Sequence, residues 1–192
     1  MTDATVPTLV SRVWPRTVTN TIPRALILIL AGDILLAASA RVTVPFWPVP
    51  MTMQTLVVLI IGAGYGWRLG AATMLAYLVE GVAGLPVFAA GAGPAYFAGP
   101  TGGYIAGFVL AATLAGWLAE RGITRRPVTA LLGFLVADTL VFVAGVGWLG
   151  SLIGLDKAIH GGLIPFLPAE ALKIVLATVL TLAAAPSFLR KR

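Results

Sequence analysis

The sequence has no cysteine and a single histidine in its 192 residues. A disulfide scaffold, a thiolate zinc site and a thiol nucleophile are therefore excluded. His160 stands alone, so there is no histidine pair, no Ser-His-Asp set and no HExxH motif. Neither a catalytic constellation nor a metal site is expected. Charge is equally scarce: 10% of the residues are charged and 59% are hydrophobic, against about 25% charged in soluble domains. So few charges cannot coat a surface facing water, and the mean hydropathy of +0.98 makes lipid the expected solvent. A compact apolar core is missing from residues 1–23, which are rich in Thr and Arg and do not read as a signal peptide. The net charge of +6 does not point to nucleic acid, because the bases sit at loop positions rather than on one soluble face.

What is present is a succession of apolar runs. At about 20 residues per crossing, the length allows six or seven spans. The pattern predicts an all-α, single transmembrane domain over residues 1–192. Its helices are expected over 24–40, 51–64, 67–83, 103–120, 128–149 and 166–185, with external loops over 41–50, 84–102 and 150–165. Pro45, Pro48 and Pro50 keep the first loop from being helical throughout. The loop from Gly84 to Gly103 has six glycines, three prolines and no charge. Such an uncharged irregular segment belongs where protein or a cavity buries it. With both termini cytoplasmic, the inner segments hold Arg12, Arg16, Arg24, Arg68, Arg121, Arg125, Arg126, Arg190, Lys191 and Arg192. The outer segments then hold only Arg41 and Lys157, the asymmetry that sets orientation.

The run from Gly99 to Ala119 carries a small residue at every fourth position: Gly103, Gly107, Ala111, Ala115 and Ala119. In lipid, small residues let two helix backbones approach closely, so this is a helix-packing seam. Its preceding Gly99-Pro-Thr-Gly-Gly has no Gly-Lys-Ser/Thr ending and is not a nucleotide loop. Thr101, Gly102, Gly103 and Tyr104 mark the passage from loop to helix, where backbone N–H groups and the positive dipole end are available to a ligand.

Asp33, Glu80, Asp138, Glu170 and Lys173 fall within predicted spans. Glu170 and Lys173 share one helix face at i,i+3 spacing, in a region where charge is costly and turns toward a bundle interior or cavity. Two readings compete: a mutually neutralising pair that snorkels to the interface, and an acceptor and a cation aimed at a polar ligand. Asp33, Glu80 and Asp138 are either paired structurally or protonated members of a proton relay. Trp47, Tyr96, Tyr104 and Trp148, with Phe46, Phe88 and Phe97, crowd the external side. They suit an interface belt or the apolar wall of a ligand site.

Four motifs in register resemble the BioY family, the biotin-specific substrate-binding (S) component of energy-coupling-factor (ECF) transporters. They are Val44-Pro-Phe-Trp-Pro-Val-Pro-Met-Thr-Met-Gln-Thr55, Gly84-Leu-Pro-Val-Phe88, Gly99-Pro-Thr-Gly-Gly-Tyr104 and Pro165-Phe-Leu-Pro-Ala-Glu-Ala-Leu-Lys-Ile174. The resemblance covers nearly the whole chain. It implies a multi-pass protein of the bacterial inner (cytoplasmic) membrane that captures biotin and has no enzymatic activity or cofactor of its own. Its implied partners are a transmembrane coupling subunit and two ATPases, which use the ATP. It implies substrate-binding roles for Trp47, Glu80, Tyr96, Gly99, Thr101, Gly102, Gly103, Tyr104, Asp138, Trp148, Glu170 and Lys173. Lys173 is expected at the carboxylate of biotin and Glu170 at its ureido N–H groups. Two departures stand out. The family usually has Asp where this chain has Glu170. Ala31, Ala37, Ala38 and Ala40 in the first span lack the i,i+4 spacing through which such subunits dock. The alternative is a stand-alone biotin transporter coupled to protons through Asp33, Glu80 or Asp138.

Overall fold

The computed structural model describes Thr8, Val10 and residues 21–184. The lead-in bases Arg12 and Arg16, the final residue of the sixth predicted span and the terminal Arg190, Lys191 and Arg192 lie outside the described residues. Helix α1 covers Thr21–Arg41, followed by two short strands, β1 (Thr43–Val44) and β2 (Met51–Thr52). Then come α2 (Gln54–Tyr65), α3 (Trp67–Val82), α4 (Gly93–Phe97) and α5 (Gly102–Glu120). A 3-10 turn at Ile123–Arg125 leads into α6 (Pro127–Ile153) and α7 (Leu155–Gly162). A second such turn at Ile164–Phe166 opens α8 (Leu167–Ala183). The fold is all-α apart from the antiparallel ladder, which pairs Thr43 with Thr52 and Val44 with Met51.

Four helical stretches among the described residues are long and apolar enough to cross a membrane. They are Ile22–Arg41, Gly102–Glu120, Pro127–Ile153 and Leu155–Ala183, the last joining α7 to α8. The elements depart from the expected bounds in several places, and the first helix begins at Thr21 rather than at 24. The span expected at 51–64 starts three residues later, because Met51 and Thr52 are drawn into the ladder. The fifth helix continues past 149 to Ile153, where Gly154 at φ +89° ends it. The loop expected at 150–165 is largely helical, and the loop at 84–102 contains α4.

Side-chain size is distributed the lipid way. On α6 the buried face is Ala130, Gly133, Phe134, Ala137, Asp138, Val141, Phe142, Gly145 and Leu149. Its Val128, Leu132, Leu135, Val136 and Val143 are exposed. On α8 the buried face is Glu170, Lys173, Ile174, Ala177, Thr178 and Thr181, while Leu172, Val175, Val179 and Leu180 face outward. Large aliphatics lose nothing against lipid tails, so the inside is selected for fit and polarity instead.

The seam helix α5 is the centre of the bundle and packs against α2, α3 and α6. Gly103, Gly107, Ala111, Ala115 and Ala119 are all buried. A Cβ on Gly107 would stand 2.8 Å from the Cα of Val141. The backbones of α5 and α6 are therefore too close there for any side chain. On its other side a Cβ on Gly116 would meet the Gly66–Trp67 backbone at 2.4 Å.

Candidate binding site

The proline-rich segment 42–53 is held by short contacts rather than by helix. Besides the ladder, the N–H of Met53 donates to the carbonyl of Val42 at 3.1 Å. This brings Val49, Pro50 and Thr52 to the head of α2, where they line a cavity of about 50 Å³. The remaining walls come from α2 (Gln54, Thr55), the segment after α3 (Ala89), α4 (Tyr96), α5 (Thr101, Tyr104, Ile105, Phe108), α6 (Val141, Phe142) and α8 with its leading turn (Phe166, Glu170). Irregular backbone is tolerated where it lines a cavity, as Val49, Pro50 and Thr52 of this segment do.

One end of the cavity is polar. Lys173 and Glu170 form an ion pair of 2.6 Å with both side chains only 5% exposed. Nζ of Lys173 also donates to Oγ1 of Thr55 at 3.0 Å and to the carbonyl of Thr52. Oγ1 of Thr55 in turn donates to Oε2 of Glu170 at 2.7 Å. The three N–H groups of the ammonium thus have three acceptors, and both carboxylate oxygens have a donor. A buried charge pair needs this complete hydrogen bonding to offset desolvation. Of the pair, Glu170 lines the cavity and Lys173 stands behind it. Gln54 donates through Nε2 to the hydroxyl of Tyr77 at 2.7 Å, which donates to the carbonyl of Val87 at 2.7 Å.

The rest is aromatic and aliphatic. Tyr104 stacks on Phe166 with ring centroids 6.5 Å apart, and its hydroxyl donates to the carbonyl of Gly162 at 2.9 Å. Phe142 meets both rings edge-on. Phe88 packs edge-on against Tyr77 and stacks on Tyr96 at 5.4 Å. It fits there because Gly81 has no side chain: a Cβ would fall 2.0 Å from the Phe88 ring.

Of the residues singled out in the sequence, Tyr96, Thr101, Tyr104 and Glu170 line this cavity. Gly102 and Gly103 are buried in the first turn of α5, and Gly99 accepts a 2.9 Å hydrogen bond from Nε1 of Trp148. Trp148 therefore fastens the loop ahead of α5 to α6. Trp47 is 85% exposed and Glu80 is half-buried, and neither is part of the lining. Asp138 is buried one turn below Val141 on α6, and its Oδ1 has no hydrogen-bond partner. Asp33 is buried on α1, with neither carboxylate oxygen hydrogen-bonded. The lining residues that reasoning from sequence passed over are Val49, Pro50, Thr52, Gln54, Thr55, Ala89, Ile105, Phe108, Val141, Phe142 and Phe166. Thr52, Gln54 and Thr55 carried a signal, being polar residues clustered at the start of an apolar helix.

The sequence profile of the BioY family matches residues 11–190. The probable biotin transporter BioY of Rickettsia prowazekii is 36% identical over 163 residues, which is 82% of this chain and 81% of that protein. The biotin transporter BioY2 of Lactococcus lactis is 33% identical over 167 residues, covering 85% of this chain and 91% of the relative. Among solved structures, the S-component for biotin from an ECF-type ABC transporter superposes with a TM-score of 0.75. That match has 26% identity and covers 91% of this chain and 95% of the other.

Proposed function

The chain belongs to the BioY family, and from that premise we propose that it captures biotin in the cavity at the head of α2, α5 and α8. It is a multi-pass membrane protein of a transporter family, not an enzyme. In this reading α1, α2, α3, α5, α6 and α8 make six crossings of a bacterial cytoplasmic membrane with both termini inside. The cavity then opens outward. Capture is followed by uptake driven by a transmembrane coupling subunit and two ATPases, with no cofactor in this chain.

The observation that carries the reading is the pairing of a buried polar cluster with aromatic walls in one cavity. Biotin has a ureido ring that both donates and accepts, and a thiophane ring and valeryl chain that need apolar walls. Glu170 is placed to accept from the ureido N–H groups. Phe108, Phe142, Phe166 and Tyr104 offer the walls. Lys173 acts through Glu170, Thr52 and Thr55 as a positioning residue, because its N–H groups are engaged with them. At about 50 Å³ the cavity has room for a few waters. Binding a bicyclic vitamin therefore displaces part of the 84–102 segment, which acts as the lid.

A second reading, a stand-alone transporter coupled to protons, rests on the unpartnered buried oxygens of Asp33 and Asp138. Uptake of labelled biotin into liposomes separates the two. The leading reading expects uptake only with the coupling subunit, the ATPases and ATP. Uptake by the lone chain that stops when a proton gradient is collapsed establishes the second.

A further inference from the structure

A second cavity of about 280 Å³ lies at the opposite end of the bundle, among the start of α1, the α2–α3 turn and the end of α5. Its lining includes Arg24, Tyr65, Arg68 and Glu120, with Ala25 and Ile29 of α1 and Leu69 and Ala72 of α3 below them. Arg24 is 5% exposed, and its Nε–H has no hydrogen-bond partner. One of its terminal nitrogens donates to the carbonyl of Val10 at 3.2 Å. A buried guanidinium that lines a cavity with no ion-pair partner among the described residues leaves its charge uncompensated, and an anion in the cavity would balance it. Glu120 does not supply it: among the described residues Arg24 makes no ion pair. Oε1 of Glu120 instead accepts from the N–H of Trp67 at 3.2 Å. Arg68 brings a second guanidinium to the rim, stacked over the Trp67 ring at 5.0 Å.

We infer that this cavity binds a phosphate anion between Arg24 and Arg68. A fork of N–H donors fits phosphate oxygens. The lower walls suit a lipid as its carrier: Ala25, Ile29, Leu69 and Ala72 are half-buried, and the neighbouring Leu26, Ile27 and Leu30 are exposed on the outer side of α1. An acyl chain leaving the headgroup would follow these small and aliphatic side chains directly into the bilayer. Free phosphate would use the same two arginines without that groove. The site does not depend on biotin being the transported ligand, since it shares no residue with the upper cavity.

The test is native mass spectrometry and thermal unfolding of the purified full chain in neutral detergent, titrated with phosphatidylglycerol, phosphatidylcholine or sodium phosphate. A charge-assisted contact in a buried site corresponds to about tenfold or more in affinity. Phosphatidylglycerol should therefore be retained about tenfold better than phosphatidylcholine. Arg24→Gln should remove the preference, and Arg68→Gln, at an exposed position that does not threaten folding, should weaken it. Stabilisation by sodium phosphate alone, lost in the same two variants, assigns the site to the free ion. Equal lipid retention by parent and both variants overturns the proposal. So does the absence of any response to lipid or phosphate, the result expected if an acidic protein segment fills the cavity. Biotin affinity measured on Arg68→Gln should equal the parent's, which keeps this outcome separate from the fate of the biotin reading.

Discussion

Lys173 shows how a single side chain acquires its role from its neighbours. Its charge is buried, and it is tolerable only because Glu170, Thr55 and the Thr52 carbonyl take all three of its N–H groups. Removing one member of such a pair costs about 3–5 kcal/mol, whereas removing both charges costs far less. Lys173→Met is therefore expected to lower the unfolding temperature sharply, and Glu170→Gln combined with Lys173→Met to recover most of it. Thermal unfolding in detergent compares them directly. Biotin binding should separate from stability. Calorimetric titration is expected to show affinity reduced about ten- to a hundredfold in Lys173→Ala and not restored in the more stable double variant. Retained parental affinity in Lys173→Ala would remove this residue from the site. Glu170 was legible in the sequence as half of a charged pair on one helix face. That it faces the cavity while its partner stands behind it was not legible, because i,i+3 spacing fixes a common face and not the depth of each group.

At the level of elements, the small-residue seam decides how closely α5 can approach its neighbours. Periodicity identified Gly103, Gly107, Ala111, Ala115 and Ala119 as one stripe, but glycines in apolar helices are not equivalent. Gly107 faces the Val141 backbone, while the space where a Cβ of Gly147 would lie is empty. Gly107→Ala is expected to force α5 and α6 apart and lower the unfolding temperature, and Gly147→Ala to raise stability by about 0.5–1 kcal/mol through the helix preference of alanine. If the two variants unfold alike, the seam does not set the packing distance. Segment 42–53 teaches the complementary lesson. Its prolines excluded helix, yet the ladder between Thr43–Val44 and Met51–Thr52 depends on pairing partners seven or nine residues apart. Short-range pattern reading has no term for such pairing. The same ladder shortens α2 to 12 residues, about 18 Å of helix. The irregular backbone ahead of it, at Val49, Pro50 and Thr52, lines the cavity instead.

For the whole molecule, the inside-out distribution of size and polarity makes the cavity the polar feature of the upper bundle. If biotin fills it, the ligand binds the folded state alone and stabilises it by mass action. Biotin at about a hundred times its dissociation constant should add about 2.7 kcal/mol, read as a rise in unfolding temperature in the purified chain. Glu170→Gln should lose most of this rise, while Trp47→Ala, altering a side chain that is 85% exposed, should keep it. A ligand-induced shift of equal size in both variants would place the site elsewhere.

The sequence by itself determined the solvent, the helical architecture, the order of the helices and the family. All of these follow from composition, from the spacing of apolar runs and from motifs contiguous along the chain. It also marked Glu170, Tyr96, Thr101 and Tyr104, which carry polar or aromatic groups where an apolar pattern has no use for them. Only the tertiary structure decided that Thr55 completes the Glu170–Lys173 cluster from 115 residues away. It also decided that Phe142 and Phe166 are cavity walls and that Trp148 is a fastener for the Gly99 loop. The physical reason is that a phenylalanine facing lipid and one facing a ligand satisfy the same local hydrophobic pattern. Which of the two it meets is set by the helices packed against it.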